Sequence, residues 1–260
     1  MTQPGAFPAL NRIEPPANPA PGGLYSAATL DDLADPARLG GGVLLESRQR
    51  GAHGHWPSMC ETVPEDQVKG GDSECQSLTP FPSTVVWAAN DAKLPGLTEQ
   101  DATLSAQQTL RVVEQVDVEA WLAPLLMERA GTPATAGDAE GSALVAALAA
   151  VEAAGSESGL PLVIHAPRSA AALAAYRGLV VKGSGRTGRL ETPLGNVWAF
   201  GSGYEEELEG TLVATGPVTV LRSTVETSAA LELEHNLRHI IVEREVAVTW
   251  ETPTVAARYK

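Results

Sequence analysis

The sequence predicts an α+β fold in which slender outgrowths surround a modest body. Three observations point there. A helical period runs for about 30 residues from Thr98, far beyond the three or four turns of an ordinary globular helix. A helix–strand–helix–strand lobe over 142–221 gives way to long alternating strand-like segments over 237–258. Roughly 35 residues rich in Gly, Pro, His and charge separate two strands near the start, too many for a loop inside a compact domain.

Taken in order, residues 1–23 hold Pro4, Pro8, Pro15, Pro16, Pro19 and Pro21 and close on Gly22-Gly23. Proline at that density removes ladder donors and favours an extended arm, either a loose tail or a segment that lies across a neighbouring subunit. Val43–Glu46 and Ser83–Ala88 read as strands, with a two-stranded excursion between them. Thr98, with Glu99 and Asp101 in the first turn, starts the long helix. Leu104, Leu110, Val113, Val116, Trp121, Leu122, Leu125 and Met127 carry its period to about Arg129, on the order of 45 Å. Pro124 is expected to kink it or split off its last turn, and Gly131 to Pro133 stop it. An Ala-rich helix over 142–154, a buried strand over 160–165 and a short helix over 169–177 follow. Strands are then expected at 179–182, 197–200, 211–215, 218–221, 237–250 and 254–258, with no internal repeat.

Composition narrows the function. Hydrophobic residues at 43% and charged ones at 19% suit a folded chain, and with aromatics at only 5% the core must lean on Ala, Val and Leu. The net charge is −14, with 32 acidic and 18 basic residues and only four lysines. Neutralising phosphates needs clustered cations, so a sequence-reading nucleic-acid binder is not expected. An acidic wall can still enclose nucleic acid without adhering to it. No apolar run nears the roughly 18 to 20 residues that span a bilayer, so no membrane association is expected. Met1–Pro21 shows no secretory signal, which implies synthesis in the cytoplasm.

The candidate chemistry is thin. Gly183–Gly188 matches GxGxxG, but Arg189–Gly195 breaks before a helix turn that would present amides to a pyrophosphate. A glycine loop is the better reading. His53, His55, Cys60 and Cys75 offer zinc-ligand types at a spacing that fits no usual structural zinc pattern. Cys60 and Cys75 remain candidates for a disulfide across the excursion, or for two free thiols. His165 ends a strand with Ser169 four residues on, yet no GxSxG elbow accompanies them, and His165 reads as a satisfied structural histidine. Glu205, Glu206, Glu207 and Glu209 read as a solvated loop before a metal site. Neither a catalytic residue, a cofactor nor a metal is expected.

The local wording and the order of parts resemble a known family. Leu162–Ser169 with Ala170–Tyr176, Pro193–Tyr204 (PLGNVWAFGSGY), Ala214–Val220 (ATGPVTV) and Glu243–Trp250 (EREVAVTW) resemble phrases of actinobacterial-phage capsid proteins. Arm, excursion, long helix, α/β lobe and terminal strands together resemble the Hong Kong 97-type major capsid subunit of tailed phages. That resemblance implies an N-terminal arm (1–37), an E-loop (38–90), a peripheral domain with its spine helix (91–135 and 223–260) and an axial domain (136–222). It implies a non-enzymatic shell subunit that assembles with itself into pentamers and hexamers of an icosahedral capsid around double-stranded DNA. Its place would be the virion, with a portal and scaffolding or decoration proteins as further partners. Some members link chains by isopeptide bonds; Lys69 lies in the excursion, but nothing around it identifies an Asn partner. The alternatives are an encapsulin-like nanocompartment shell, another virion part such as a decoration or tail protein, and a small α/β enzyme using the glycine loop.

Overall fold

The computed structural model describes residues 17–34, 39–46, 78–93, 98–137, 142–183 and 189–260. Their elements run α1 (Leu24–Ala27), β1 (Thr29–Asp32), β2 (Val43–Glu46), β3 (Leu78–Phe81), β4 (Ser83–Lys93), α2 (Glu99–Ala130), β5 (Ala134–Thr135), α3 (Ala143–Ser156), β6 (Val163–Pro167) and α4 (Ala170–Tyr176). There follow β7 (Val181–Lys182), β8 (Leu190–Glu191), β9 (Val197–Gly201), β10 (Thr211–Thr215), β11 (Val218–Arg222), β12 (Glu226–Glu232), β13 (Leu237–Trp250) and β14 (Thr254–Arg258).

Helix α2 starts where the sequence predicts. The Thr98 hydroxyl accepts the Asp101 N–H at 3.1 Å, satisfying an otherwise orphaned donor, and Glu99 and Asp101 oppose the positive end of the dipole. Its 32 residues end at Gly131, whose φ of 67° suits a residue without Cβ, and the Gly131 N–H closes on the Met127 carbonyl. The helix runs unbroken through Pro124, contrary to the expected split, with the exposed proline on its outer side. The buried stripe is Ala102, Ala106, Leu110, Glu114, Val118, Leu122 and Leu126, a repeat of four, while Leu104 is exposed. The expected leucine-and-valine face was therefore displaced: small alanines mark the inward side because the strands approach closely there.

Two large sheets share this helix. In the five-stranded sheet β13 is central, with β4 antiparallel along one edge from Ser83↔Ala247 to Lys93↔Leu237. Along the other edge β11 pairs with 246–250 and β12 with 237–243, and β1 adds a parallel strand beside β11. The seven-stranded sheet has the order β5-β14-β10-β6-β9-β8-β7. Its strands alternate between two cores. Val163, Ala199, Val213 and Ala256 join the core under α2, while Ile164, Trp198, Phe200, Leu212 and Ala257 pack with Leu144, Leu148 and Val151 of α3. Burial on both faces explains why β6 and β10 contain no exposed residue.

Sheet membership crosses the divisions expected from the sequence. β11 precedes the expected boundary at residue 222 yet belongs with β13, and β14 lies beyond it yet belongs with β10. The chain passes between sheets at 216–217 and 251–253, where the Gly216 N–H meets the carbonyls of Glu251 and Pro253. Strands β1, β5, β8 and β12 were not anticipated; the first three are short, and β12 has no buried face to produce an alternating pattern.

The expected excursion has a paired stem. Val43–Glu46 pairs antiparallel with Leu78–Phe81, while the flanking strand expected at Ser83–Ala88 runs on to Lys93 and pairs with β13 instead. Residues 47–77, with His53, His55, Cys60, Lys69 and Cys75, lie outside the described residues. At the foot of this stem the Arg129 guanidinium lies 3.9 Å from the Phe81 ring centroid and 4.7 Å from that of Trp250, and donates to the Pro80 carbonyl. Phe81 and Trp250 meet edge to face at 4.7 Å. R129A is expected to cost on the order of 1–2 kcal/mol in urea unfolding, and R129K to restore part of it by keeping the charge over the rings.

Candidate functional site

Among the described residues, a dense set of long-range polar contacts forms a junction built on α2. Glu119 has no exposed surface. Its Oε1 accepts the Leu24 N–H at 2.9 Å and its Oε2 the Gly203 N–H at 3.1 Å, with the Ser202 N–H as a further donor. Burial pushes this carboxyl above its usual range, and the three amides and Arg168 oppose that shift. One side chain thus joins α2, the N-terminal segment and the loop after β9.

Glycine makes the approach possible. A Cβ on Gly203 would sit 2.2 Å from the Val116 carbonyl oxygen and 2.5 Å from the Ala120 nitrogen, both backbone of α2. One on Gly23 would sit 2.2 Å from Gln115 Nε2 and 2.4 Å from Glu119 Oε1. The glycines of the GSGY phrase are therefore contact points inside one chain.

Residues 17–34 dock on their own chain around this point. Gln108 and Gln115 donate to the carbonyls of Ala17 and Ala20, Arg111 to Asn18 Oδ1, and the Phe200 N–H to the Gly22 carbonyl. Tyr25 Oη donates to Glu114 Oε1 at 2.7 Å, and Arg222 and Arg244 approach the same oxygen at 3.4 Å. Arg222 also holds Asp32 through two nitrogens, at 2.8 and 3.1 Å. The arm was expected as a loose tail or on a neighbour; from residue 17 onward it lies on the chain's own α2, because polar side chains there face the carbonyls that proline leaves without a ladder. Residues 1–16 lie outside the described residues.

The residues singled out as candidate chemistry separate. His165 is fully buried, with Nδ1 3.0 Å from Tyr204 Oη and Nε2 3.1 Å from Thr215 Oγ1. The Thr215 hydroxyl donates to the Gly216 carbonyl, so it accepts from Nε2–H, and Nδ1 accepts from Tyr204. Burial takes the imidazole pKa down to about 3, and the ring stays neutral and satisfied. Ser169 is turned elsewhere: its N–H and hydroxyl both donate to the Glu205 carboxylate, at 2.6 and 2.7 Å. Glu209 pairs with Lys260. Among the described residues no three His, Cys, Asp or Glu side chains are grouped to hold a metal ion. Gly183 closes on the Arg189 carbonyl and β7 pairs antiparallel with β8, so a strand follows the glycine segment, whose residues 184–188 lie outside the described residues. Hollows of about 250, 210 and 280 Å³ touch β4, β13 and Arg129, and neither His165 nor Ser169 lines them.

Sequence reasoning missed Glu114, Gln115 and Glu119, which are buried on α2. For Glu114 the available signal was polarity at a position where a period of four, through Leu110, Val118 and Leu122, calls for an apolar residue; Gln115 and Glu119 lie on the adjacent row with Ala123 and carry no such signal.

Two measurements test this arrangement. G203A forces α2 and the loop apart and is expected to cost roughly 1–3 kcal/mol in urea unfolding, whereas G137A, where an added methyl meets nothing within 4 Å, stays near neutral. His165 ordinarily titrates near 6.5, and its folded pKa is about 3. The unfolded chain therefore binds the extra proton between those values, and stability falls as pH drops through that window, by up to about 1.4 kcal/mol per pH unit. H165Q removes this component, so the stability gap between wild type and variant should narrow steadily from about pH 6.5 towards pH 4.

Neither a protein-family model nor a curated protein matches the chain. Solved structures do. The capsid of a native GTA particle matches with a TM-score of 0.59 at 11% identity, covering 98% of this chain and 95% of that one. A Microbacterium phage Oxtober96 structure matches at 0.53 and 13% identity over 97% and 95%. A virus-like particle from Pyrococcus furiosus matches at 0.53 and 10% identity over 90% and 91%. These likenesses span nearly the whole of each chain and identify the fold: it is the fold of phage-type capsid shells, as the resemblance to the Hong Kong 97-type subunit implied.

Proposed function

We propose that this chain is a shell subunit without catalytic activity, whose copies associate into pentamers and hexamers of an icosahedral capsid around double-stranded DNA. The observation that carries the reading is the likeness to capsid shells over 98% of the chain. Residues 1–37 then serve as the N-terminal arm and 38–90 as the E-loop. Segments 91–135 and 223–260 form the peripheral domain and 136–222 the axial domain, with β11 and β14 exchanged between the two sheets. DNA is enclosed without sequence-specific contacts, in keeping with a net charge of −14. A portal and scaffolding or decoration proteins complete a virion assembled in the host cytoplasm. Among the described residues no helix is long and apolar enough to cross a membrane.

Shell assembly asks for many modest contacts. Exposed Trp87, Tyr176, Leu194 and Leu233 supply apolar area scattered over several faces. Contacts too weak to hold a pair sum through multivalency when a ring closes.

A second reading, a nanocompartment shell holding protein cargo, is compatible with the same fold, which this chain shares with a virus-like particle from Pyrococcus furiosus. Electron microscopy of the purified chain tests both: closed particles with five- and six-fold rings are expected, and a monodisperse monomer under every assembly condition overturns both. Nuclease-protected DNA in particles from the natural host separates a capsid from a compartment. Deleting residues 1–16 spares the contacts that start at Ala17, so the truncated chain should fold with unchanged urea midpoint. It should fail to form shells of normal size; normal shells from it would remove the arm from the assembly scheme.

A further inference from the structure

The five-stranded sheet carries a side-chain tie that the shell reading does not use. On β13, His239 stands directly opposite Asp91 of β4 and Ala230 of β12, and Glu232 lies two residues further along β12 on the same face. His239 Nδ1 is 2.7 Å from Asp91 Oδ1, and Nε2 is 3.0 Å from Glu232 Oε2. An ionised carboxylate only accepts, and a neutral imidazole has a single N–H. Both contacts are hydrogen bonds only when the ring carries both protons. Strand β12 needs such a tie. Six of its seven residues are exposed and the last is half-buried, so beyond its ladder to β13 little packing holds it.

We propose that His239 is a proton-dependent clasp that, as an imidazolium, ties β12 to β4 across β13 and that loosens β12 on deprotonation. The other charged groups around it leave this logic intact. His235, in the turn after β12, has Nδ1 2.5 Å from the other Glu232 oxygen, and Arg238 pairs with Glu99 of α2. Hydrogen bonds to Glu232 and Asp91 raise the His239 pKa above its ordinary value. The clasp therefore contributes fully below about pH 6.5, the unfolded value, and is lost as pH rises through the higher folded value. Released, the imidazole turns a lone pair towards one carboxylate, and the side-chain bridge between β12 and β4 opens.

The test is read on the full chain kept unassembled, so its outcome is independent of shell formation. The His239 imidazole is titrated by NMR, its signal assigned by disappearance in H239Q. Its midpoint is expected above about 6.5 and should fall in both D91N and E232Q. Amide exchange over 226–232, corrected for its intrinsic pH dependence, should lose protection as pH passes that midpoint in wild type and show no such step in H239Q. A midpoint at or below the ordinary value that neither substitution moves would overturn the clasp. So would unchanged protection of 226–232 across the midpoint.

Discussion

The carboxylate of Glu119 holds three pieces of chain that would otherwise have no reason to meet. Desolvating a carboxylate is expensive unless its oxygens find donors, and here the donors are backbone amides of Leu24, Ser202 and Gly203. Each lies far from Glu119 in sequence, so the requirement is met only when the N-terminal segment and the loop after β9 both close on α2. The neighbouring glycines let backbone reach backbone, and Gln115 and Glu114 extend the same logic to Ala20 and Tyr25. Polar satisfaction specifies the junction, and apolar burial around it supplies the driving force.

From that junction the rest of the architecture follows. Helix α2 serves two sheets at once, with Ala102, Ala106 and Leu110 beneath the strands paired to β13, and Leu122 and Leu126 in the same continuous core as Val213 and Ala256. A helix of about 48 Å is long enough to do this, and small residues on its inner face let strands approach it closely. The crossings at 216–217 and 251–253 lock the sheets together, since β11 and β14 each leave the neighbour they precede or follow in sequence to pair elsewhere. Arg129 fixes the foot of the β2–β3 stem against Trp250. The body is thus tied at two points along the C-terminal half of one rod, around Glu114–Glu119 and at Arg129.

His165 shows how a buried polar group can be structural without ambiguity. Its donor and acceptor are each used once, in a relay from Tyr204 through the ring to Thr215 and on to the Gly216 carbonyl. That relay pins the sheet beside the crossing at 216–217. His239 has the opposite chemistry: half-exposed, between two acceptors, with its charge state open to the solvent.

The sequence by itself determined the start and end of α2, the central strands β6, β9, β10, β11, β13 and β14, and the structural role of His165. These are written in local chemistry: a capping hydroxyl, a stop glycine, and apolar runs of strand length. Four ordered phrases also carried the likeness to capsid subunits. Tertiary structure alone decided which strand joins which sheet, because pairing partners are chosen by packing faces that no local window contains. It decided that Ala102 and Ala106 face inward while Leu104 faces water, since available depth there outranked hydrophobicity. It also decided that Glu119 is buried. A glutamate in a long helix reads as solvent-facing until the amides that satisfy it, more than 80 residues away along the chain, are brought to it.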